Sequence, residues 1–198
     1  MSEHPARPEE LPKRAVCVFC GSSYGGDPAF AAAAKRLGRL IAENGHALVF
    51  GGGNVGLMGE VARAARDGGA PVTGILPEFL KHLEPPLESR EIVEITPDLQ
   101  ERKKRMMELA DAFVVLPGGP GTLDEYFEVV TSAQLRVFEK PIVVVDVKGY
   151  FAPLQALVAH VVANGFARAE TLALTTTVPS PDAAIELINR LPTPLPRP

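Results

Sequence analysis

Short apolar, β-branched runs alternate along this chain with longer amphipathic stretches. The runs at 15–19, 47–50, 71–76, 91–95, 112–116, 141–147 and 172–178 read as strands. The stretches at 28–43, 57–67, 97–110, 123–138, 151–164 and 181–190 read as helices. The strongest strands are continuously apolar instead of alternating, as expected when helices cover both faces of a parallel sheet. Strand–helix repetition of this kind builds βαβ units with right-handed crossovers. The expected fold is α/β, a doubly wound and mostly parallel sheet flanked by helices. A single domain is expected over 14–190, after a loose extension at 1–13 and before a Pro-rich tail at 191–198. The segment 77–90, with Pro85 and Pro86, reads as a loop or irregular helix lying over a site.

Composition narrows the class. A chain of 198 residues, 46% hydrophobic and 22% charged, suits one globular domain with a real core. No apolar run reaches the ~18 residues of a membrane span. The first fourteen residues are charged and Pro-rich without an apolar centre, so no signal peptide is expected and cytoplasm is the expected location. A net charge of -4 argues against broad nucleic-acid or membrane-surface binding. Cys17 and Cys20 are spaced C-x-x-C, but Cys17 lies inside a strand and the pair faces opposite sides of it. Buried, unreactive thiols are expected, and the scattered histidines His4, His46, His82 and His160 supply no second ligand pair for zinc.

Three turns that follow strands are Gly-rich: Cys20 to Gly26, Gly51 to Gly56, and Pro117-Gly118-Gly119-Pro120-Gly121-Thr122. Such turns let backbone N–H groups approach a ligand, and a following helix adds unpaired donors and a positive dipole end that favour an anion. Three at equivalent ends of one sheet point to a phosphate. The second turn matches G-x-G-x-x-G through Gly51, Gly53 and Gly56, yet the acidic partner of a dinucleotide site is misplaced: Glu78 follows Pro77, past the strand end. The third lacks the Lys-Ser/Thr ending of a triphosphate loop.

Two charged residues aim at the same place. Leu99, Arg102, Met106 and Leu109 share one helical face, which puts a guanidinium in an apolar stripe. It either snorkels or pairs with a nearby carboxylate, or it meets a phosphate or leaving group. Thr122 to Glu125 fits a capping box, with Thr122 as N-cap and Glu125 reaching back to it. The same carboxylate would suit a ribose or positive charge at an anomeric carbon.

Arg102-Lys103, then Ala110-Asp111-Ala112-Phe113, then Pro-Gly-Gly-x-Gly-Thr-Leu-x-Glu from Pro117 to Glu125 resemble the LONELY GUY (LOG) family of cytokinin riboside 5'-monophosphate phosphoribohydrolases. The resemblance runs back through Cys20-Gly21-Ser22-Ser23 and Gly51 to Gly59, and forward through Thr131-x-Ala133-Gln134-Leu135 and Lys140-Pro141-Ile142. It implies a Rossmann-like fold and cleavage of the N-glycosidic bond of a purine nucleoside 5'-monophosphate, releasing free base and ribose 5-phosphate. It implies Arg102 and Glu125 as the catalytic pair. It implies substrate contacts from Gly118, Gly119, Pro120, Gly121, Thr122, Leu123 and Asp124, with Lys103, Thr131, Gly21, Ser22, Gly53 and Met58. Glu84 matches a substrate-contacting acid by spacing alone.

Departures exist: Ser132 stands where the family usually has Trp, and Leu99-Gln100 precede Arg102 in place of the usual Met-His. These bear on substrate choice more than on the reaction. The resemblance implies no metal and no organic cofactor, and a homodimer; Tyr126, Phe127, Val130 and Val137 of the 123–138 helix either supply an apolar surface for it or pack on the sheet. The rival of another class is a non-enzymatic carrier of the same fold, such as a molybdenum cofactor carrier, from which Arg102 with Glu125 would distinguish a hydrolase. A pyridoxal decarboxylase is a further rival, but nothing places Lys103, Lys104, Lys140 or Lys148 as a Schiff-base lysine.

Overall fold

The computed structural model describes residues 12–81 and 92–192. Its strands are β1 (Ala15–Phe19), β2 (Ala47–Phe50), β3 (Val72–Pro77), β4 (Ile92–Thr96), β5 (Ala112–Val115), β6 (Ile142–Val145) and β7 (Thr175–Val178). They form one sheet in the order β4-β3-β2-β1-β5-β6-β7, with every neighbouring pair parallel. The helices are α1 (Pro28–Glu43), α2 (Gly56–Asp67), α3 (Leu99–Leu109), α4 (Pro120–Gln134), α5 (Ala152–Ala163) and α6 (Pro181–Asn189). The doubly wound parallel α/β fold expected from the apolar pattern is the fold observed.

β1 shows why the central strands read as unbroken apolar runs. Ala15, Cys17 and Phe19 point into a core with Met106 of α3, Tyr126 and Val129 of α4, and Phe151. Val16, Val18 and Cys20 point into another with Leu37 and Ile41 of α1, Val61 and Ala65 of α2, and Ile185 of α6. Both faces are dry, so no polar position alternates. The two cysteines lie on opposite faces, both buried and both free thiols. Near the ends of the domain, Arg14 Nη2 donates to the carbonyls of Leu191 and Pro192 at 2.6 and 2.7 Å.

Side-chain caps explain where three of the six helices begin. Asp27 accepts from Ala29 N–H at α1, Asp98 from Gln100 and Glu101 N–H at α3, and Ser180 from Ala183 N–H at α6. The Asp98 cap delays α3 by two residues from its expected start. α4 departs further from expectation. Gly119 is its N-cap and Pro120 its first residue, so it starts three residues earlier than the Thr-x-x-Glu pattern predicts. Proline at the first helical position has the right φ and no N–H to satisfy, so this helix needs no side-chain cap. It also stops earlier than expected, where Leu135 N–H returns to Thr131 O and Arg136 takes φ 57°. Residues 169–173 form a 3₁₀ turn instead of extending the last strand. Glu84, Pro85 and Pro86, and most of both terminal segments, lie outside the described residues.

The chain winds outward from β1 through β2, β3 and β4, then returns to place β5 on the other side of β1. Strand order reverses between β1 and β5, and a doubly wound sheet opens its ligand crevice beyond the carboxyl ends of such a pair.

Candidate active site

The three Gly-rich turns meet at this crevice and lock together. Gly21 N–H donates to Pro117 O at 3.0 Å, while Gly21 O accepts from Leu57 and Met58 N–H at 3.0 and 3.2 Å. Several glycines are there for these contacts. A Cβ on Gly118 would stand 2.7 Å from Gly21 N, and Gly56, at φ 58°, lies hard against the Ser22–Ser23 backbone. Gly119 and Gly121 differ, because a Cβ on either would meet nothing within 4 Å. Their bare faces are turned outward, where a ligand can reach the backbone.

The outcome is an open cavity of about 190 Å³. Cys20, Gly21 and Ser22 form one wall, Met58 and Arg102 another, and Gly119 to Thr122 with Glu125 the third. The N-terminus of α4 therefore opens into it. Pro120 has no N–H, which leaves the early N–H groups of α4 and the helix dipole to meet an anion. A larger groove of about 520 Å³ lies between α1 and α2, lined by Lys35, Arg39, Arg63, Glu60 and Asp67. None of the three Gly-rich turns reaches it, and Arg63 is already paired with Glu60 at 2.7 Å.

Arg102 and Glu125 meet inside the crevice. Arg102 Nη2 lies 3.4 Å from Glu125 Oε1, and the two side chains are only 11% and 10% exposed. Glu125 sits in the second turn of α4, on the face it shares with Thr122 and Val129. The expected capping box is therefore wrong: Thr122 is the third residue of the helix, and Glu125 lies too deep to reach the N-cap. Its carboxylate faces the cavity instead.

Arg102 is held by an absence. A Cβ on Gly51 would overlap its Nη2 outright and stand 3.0 Å from Cζ, so the guanidinium fills the place of a side chain at position 51. Its Nε is buried without a hydrogen-bond partner among the described residues. The G-x-G-x-x-G match of the second turn thus has a different meaning. Gly51 receives Arg102 and Gly56 receives the first turn, so both glycines answer to contacts within the protein.

The remaining expected site residues divide. Gly21, Ser22, Met58, Gly119, Pro120, Gly121 and Thr122 line the cavity with Arg102 and Glu125. Lys103 does not line it. It is buried between α3 and α4, where Nζ pairs with Asp124 at 2.9 Å and with Glu128. Asp124 is thereby engaged away from the cavity. Leu123 gives its N–H to Gly119 O at 3.1 Å, Thr131 is exposed, and Gly53 is buried within the second turn. The apolar stripe of α3 is also rotated from expectation: Lys103, Met106 and Ala110 face inward, while Leu99 is 43% exposed. The ion pairs of Lys103 make its burial tolerable. What the sequence reading missed are Gly51 as a guanidinium slot and Cys20 as a cavity wall.

Other chemistry is constrained. Burial, and after it the Glu125 charge, pushes the thiols of Cys17 and Cys20 up, so neither is a ready nucleophile. Among the described residues no group of three or more His, Cys, Asp or Glu could hold a metal ion. Lys140 donates to Met107 O, Lys148 pairs with Asp27, and Lys104 with Glu101.

Comparison with known proteins agrees with the motif reading. Residues 58–188 match the family described as "Possible lysine decarboxylase". A rice (Oryza sativa subsp. japonica) protein described as a probable cytokinin riboside 5'-monophosphate phosphoribohydrolase is 40% identical over 89% of this chain and 78% of its own length. An Arabidopsis thaliana protein of the same description is 42% identical over 89% of this chain and 80% of its own. Among solved structures, the molybdenum cofactor binding protein of Rippkaea orientalis superposes with a TM-score of 0.69 at 25% identity, covering 91% of this chain and 98% of that one. The last likeness reports the fold, whereas the first three rest on the sequence: this chain belongs to the LOG family, the family whose model carries the lysine decarboxylase description.

Proposed function

We propose that this protein hydrolyses the N-glycosidic bond of a purine nucleoside 5'-monophosphate, giving free base and ribose 5-phosphate. One observation carries the reading. Arg102 and Glu125, from different helices and both about nine-tenths buried, converge beside the open N-terminus of α4. The α4 N-terminus, with Gly119 and Gly121, takes the phosphate. This places the anomeric carbon near Glu125. Cleavage of the C1'–N9 bond develops positive charge on the ribose, which an adjacent carboxylate stabilises while it orients the attacking water. Water supplies a hydroxyl to C1' and a proton to the departing base. Arg102, which can only donate, orients Glu125 and offers its other N–H groups to the negative charge of the substrate.

The relatives are described by their cytokinin nucleotide, so the substrates to try are AMP and N6-isopentenyl-AMP. Release of free base by the wild-type protein, reduced roughly 100-fold or more in Arg102→Ala and Glu125→Gln, is the expected result. Release at wild-type rates in both variants would refute the site. No release by the wild type, with a pterin copurifying, would replace the hydrolase by a carrier.

A homodimer is part of the same proposal. Helix α5 has no buried residue although it is almost wholly apolar. Leu157, Leu172 and Phe166 are 51%, 49% and 86% exposed, and Val137 beyond α4 is 72% exposed. Tyr126 and Val130, expected on that surface, pack on the sheet instead, leaving Phe127 and Val137 from the expected set. A second copy would cover this face. No helix among the described residues is long and apolar enough to cross a membrane, and the cytoplasm is the proposed site of action.

A further inference from the structure

The loop between β6 and α5 carries one of the two non-glycine residues with positive φ among the described residues, the other being Arg136. Lys148 takes φ 55° and Gly149 φ 75°, two successive left-handed residues, the first of them with a side chain. Such a conformation costs on the order of 1 kcal/mol or more and persists only where the surroundings impose it. They do so here. Asp146 accepts from Phe151 N–H at 2.8 Å, and Lys148 Nζ reaches Asp27 at 2.7 Å. Tyr150 then wedges between Phe30 and Phe151, with ring centroids 5.4 and 5.0 Å away. The product of this strained corner is one contact: Tyr150 Oη donates to Gly118 O at 2.7 Å.

Gly118 C=O belongs to the same planar trans peptide as Gly119 N–H, and in such a unit the two point in opposite directions. Fixing the carbonyl on Tyr150 fixes the N–H away from Tyr150. Gly119 lines both the site cavity and a neighbouring cleft, whereas Gly118 and Tyr150 line the cleft alone. Glycine on both sides of this peptide leaves it free to rotate unless something holds it.

We propose that Tyr150 is a positioning residue: its hydroxyl anchors the Gly118–Gly119 peptide so that Gly119 N–H is aimed at the substrate phosphate. The proposal rests on the reading of the α4 N-terminus as a phosphate site. Tyr150→Phe is the test, because it keeps the ring contacts with Phe30 and Phe151 and deletes only the hydroxyl. AMP hydrolysis should show KM raised about tenfold with kcat within about twofold, the loss of one hydrogen bond's worth of ground-state anchoring. Ribose 5-phosphate, titrated calorimetrically into the same proteins, should bind about tenfold more weakly to the variant, with no turnover involved. A Tm within a few degrees of wild type confirms that packing survives. If the variant matches wild type in both KM and ribose 5-phosphate affinity while wild type turns over AMP, the positioning role is refuted and the phosphate site stands. If wild-type protein neither binds ribose 5-phosphate nor releases adenine, the phosphate site falls and the role of Tyr150 with it. A fall in kcat with KM unchanged also refutes the proposal, since it would place the hydroxyl's effect on the chemical step.

Discussion

Substituting Gly51 by Ala tests the site without touching any group that reacts. A Cβ at this position stands 3.0 Å from Arg102 Cζ and inside the space of Nη2, with Met58 Sδ at 3.2 Å on another side. Restoring ordinary contact, ~3.5–4 Å between heavy atoms, requires the guanidinium to retreat by more than about 1 Å. The backbone has no reason to move, because Gly51 is outside the left-handed region and Ala can adopt its conformation. Arg102, at the end of a flexible side chain, yields instead. Its contact with Glu125 is already 3.4 Å, so a retreat of that size separates the pair. Misplacement of a catalytic group by about 1 Å costs on the order of 100-fold, or ~2.7 kcal/mol in transition-state stabilisation. Global stability should change by no more than about 1 kcal/mol, since the lower entropy of an unfolded Ala offsets part of the crowding. The assay is kcat/KM for AMP with Tm measured on the same samples. The double variant with Arg102→Ala should be no worse than Arg102→Ala alone within about twofold, because both changes remove one interaction. A Gly51→Ala protein with wild-type kcat/KM would refute the argument that Arg102 acts from this slot.

Gly121→Ala should separate function from stability, because a Cβ there meets no protein atom but projects toward the phosphate. A KM for AMP raised several-fold, with Tm unchanged or up by roughly 2 °C from better helix propensity, is expected from kinetics and calorimetry. Lys103→Met should lower Tm by roughly 3–6 °C, corresponding to ~1–2 kcal/mol, since it breaks a buried cation's pairs while Asp124 keeps much of its solvent. A loss of kcat should accompany it, as α3 and α4 lose the clamp that opposes Arg102 to Glu125. His46 predicts an acid dependence of stability. Burial holds its pKa below the ordinary 6.5; Nε2 pairs with Asn189 Oδ1 at 2.9 Å, and Nδ1 is buried without a partner among the described residues. The folded state therefore favours the neutral ring, so its contribution is present above pH 6.5 and is lost as pH falls through 6.5 toward the lower folded value. Urea midpoints of wild type should drop across that window, and those of His46→Gln should drop less.

The sequence determined the sheet because its signal is local and redundant. An apolar run such as Ala112 to Val115, buried on both faces, needs no knowledge of its neighbours to be recognised as a central strand. It also singled out Arg102 and Glu125, through a motif whose residue types suit the proposed chemistry. Only the tertiary structure decided what each position does. Thr122 and Glu125 carry the pattern of a capping box, but Pro120 on Gly119 starts the helix one turn earlier and turns Glu125 inward. Lys103 and Arg102 are adjacent cations in the sequence, yet the rotation of α3 sends one into a clamp with Asp124 and the other into the crevice. Gly51 and Gly121 read alike along the chain. One is glycine because Arg102 lies where its side chain would be, the other because its face is open. That distinction depends on Arg102, 51 residues along the chain from Gly51, which the fold brings into the crevice where the strand order reverses between β1 and β5. Local pattern fixes elements through backbone geometry, while the direction in which a side chain faces is settled only by what packs against it.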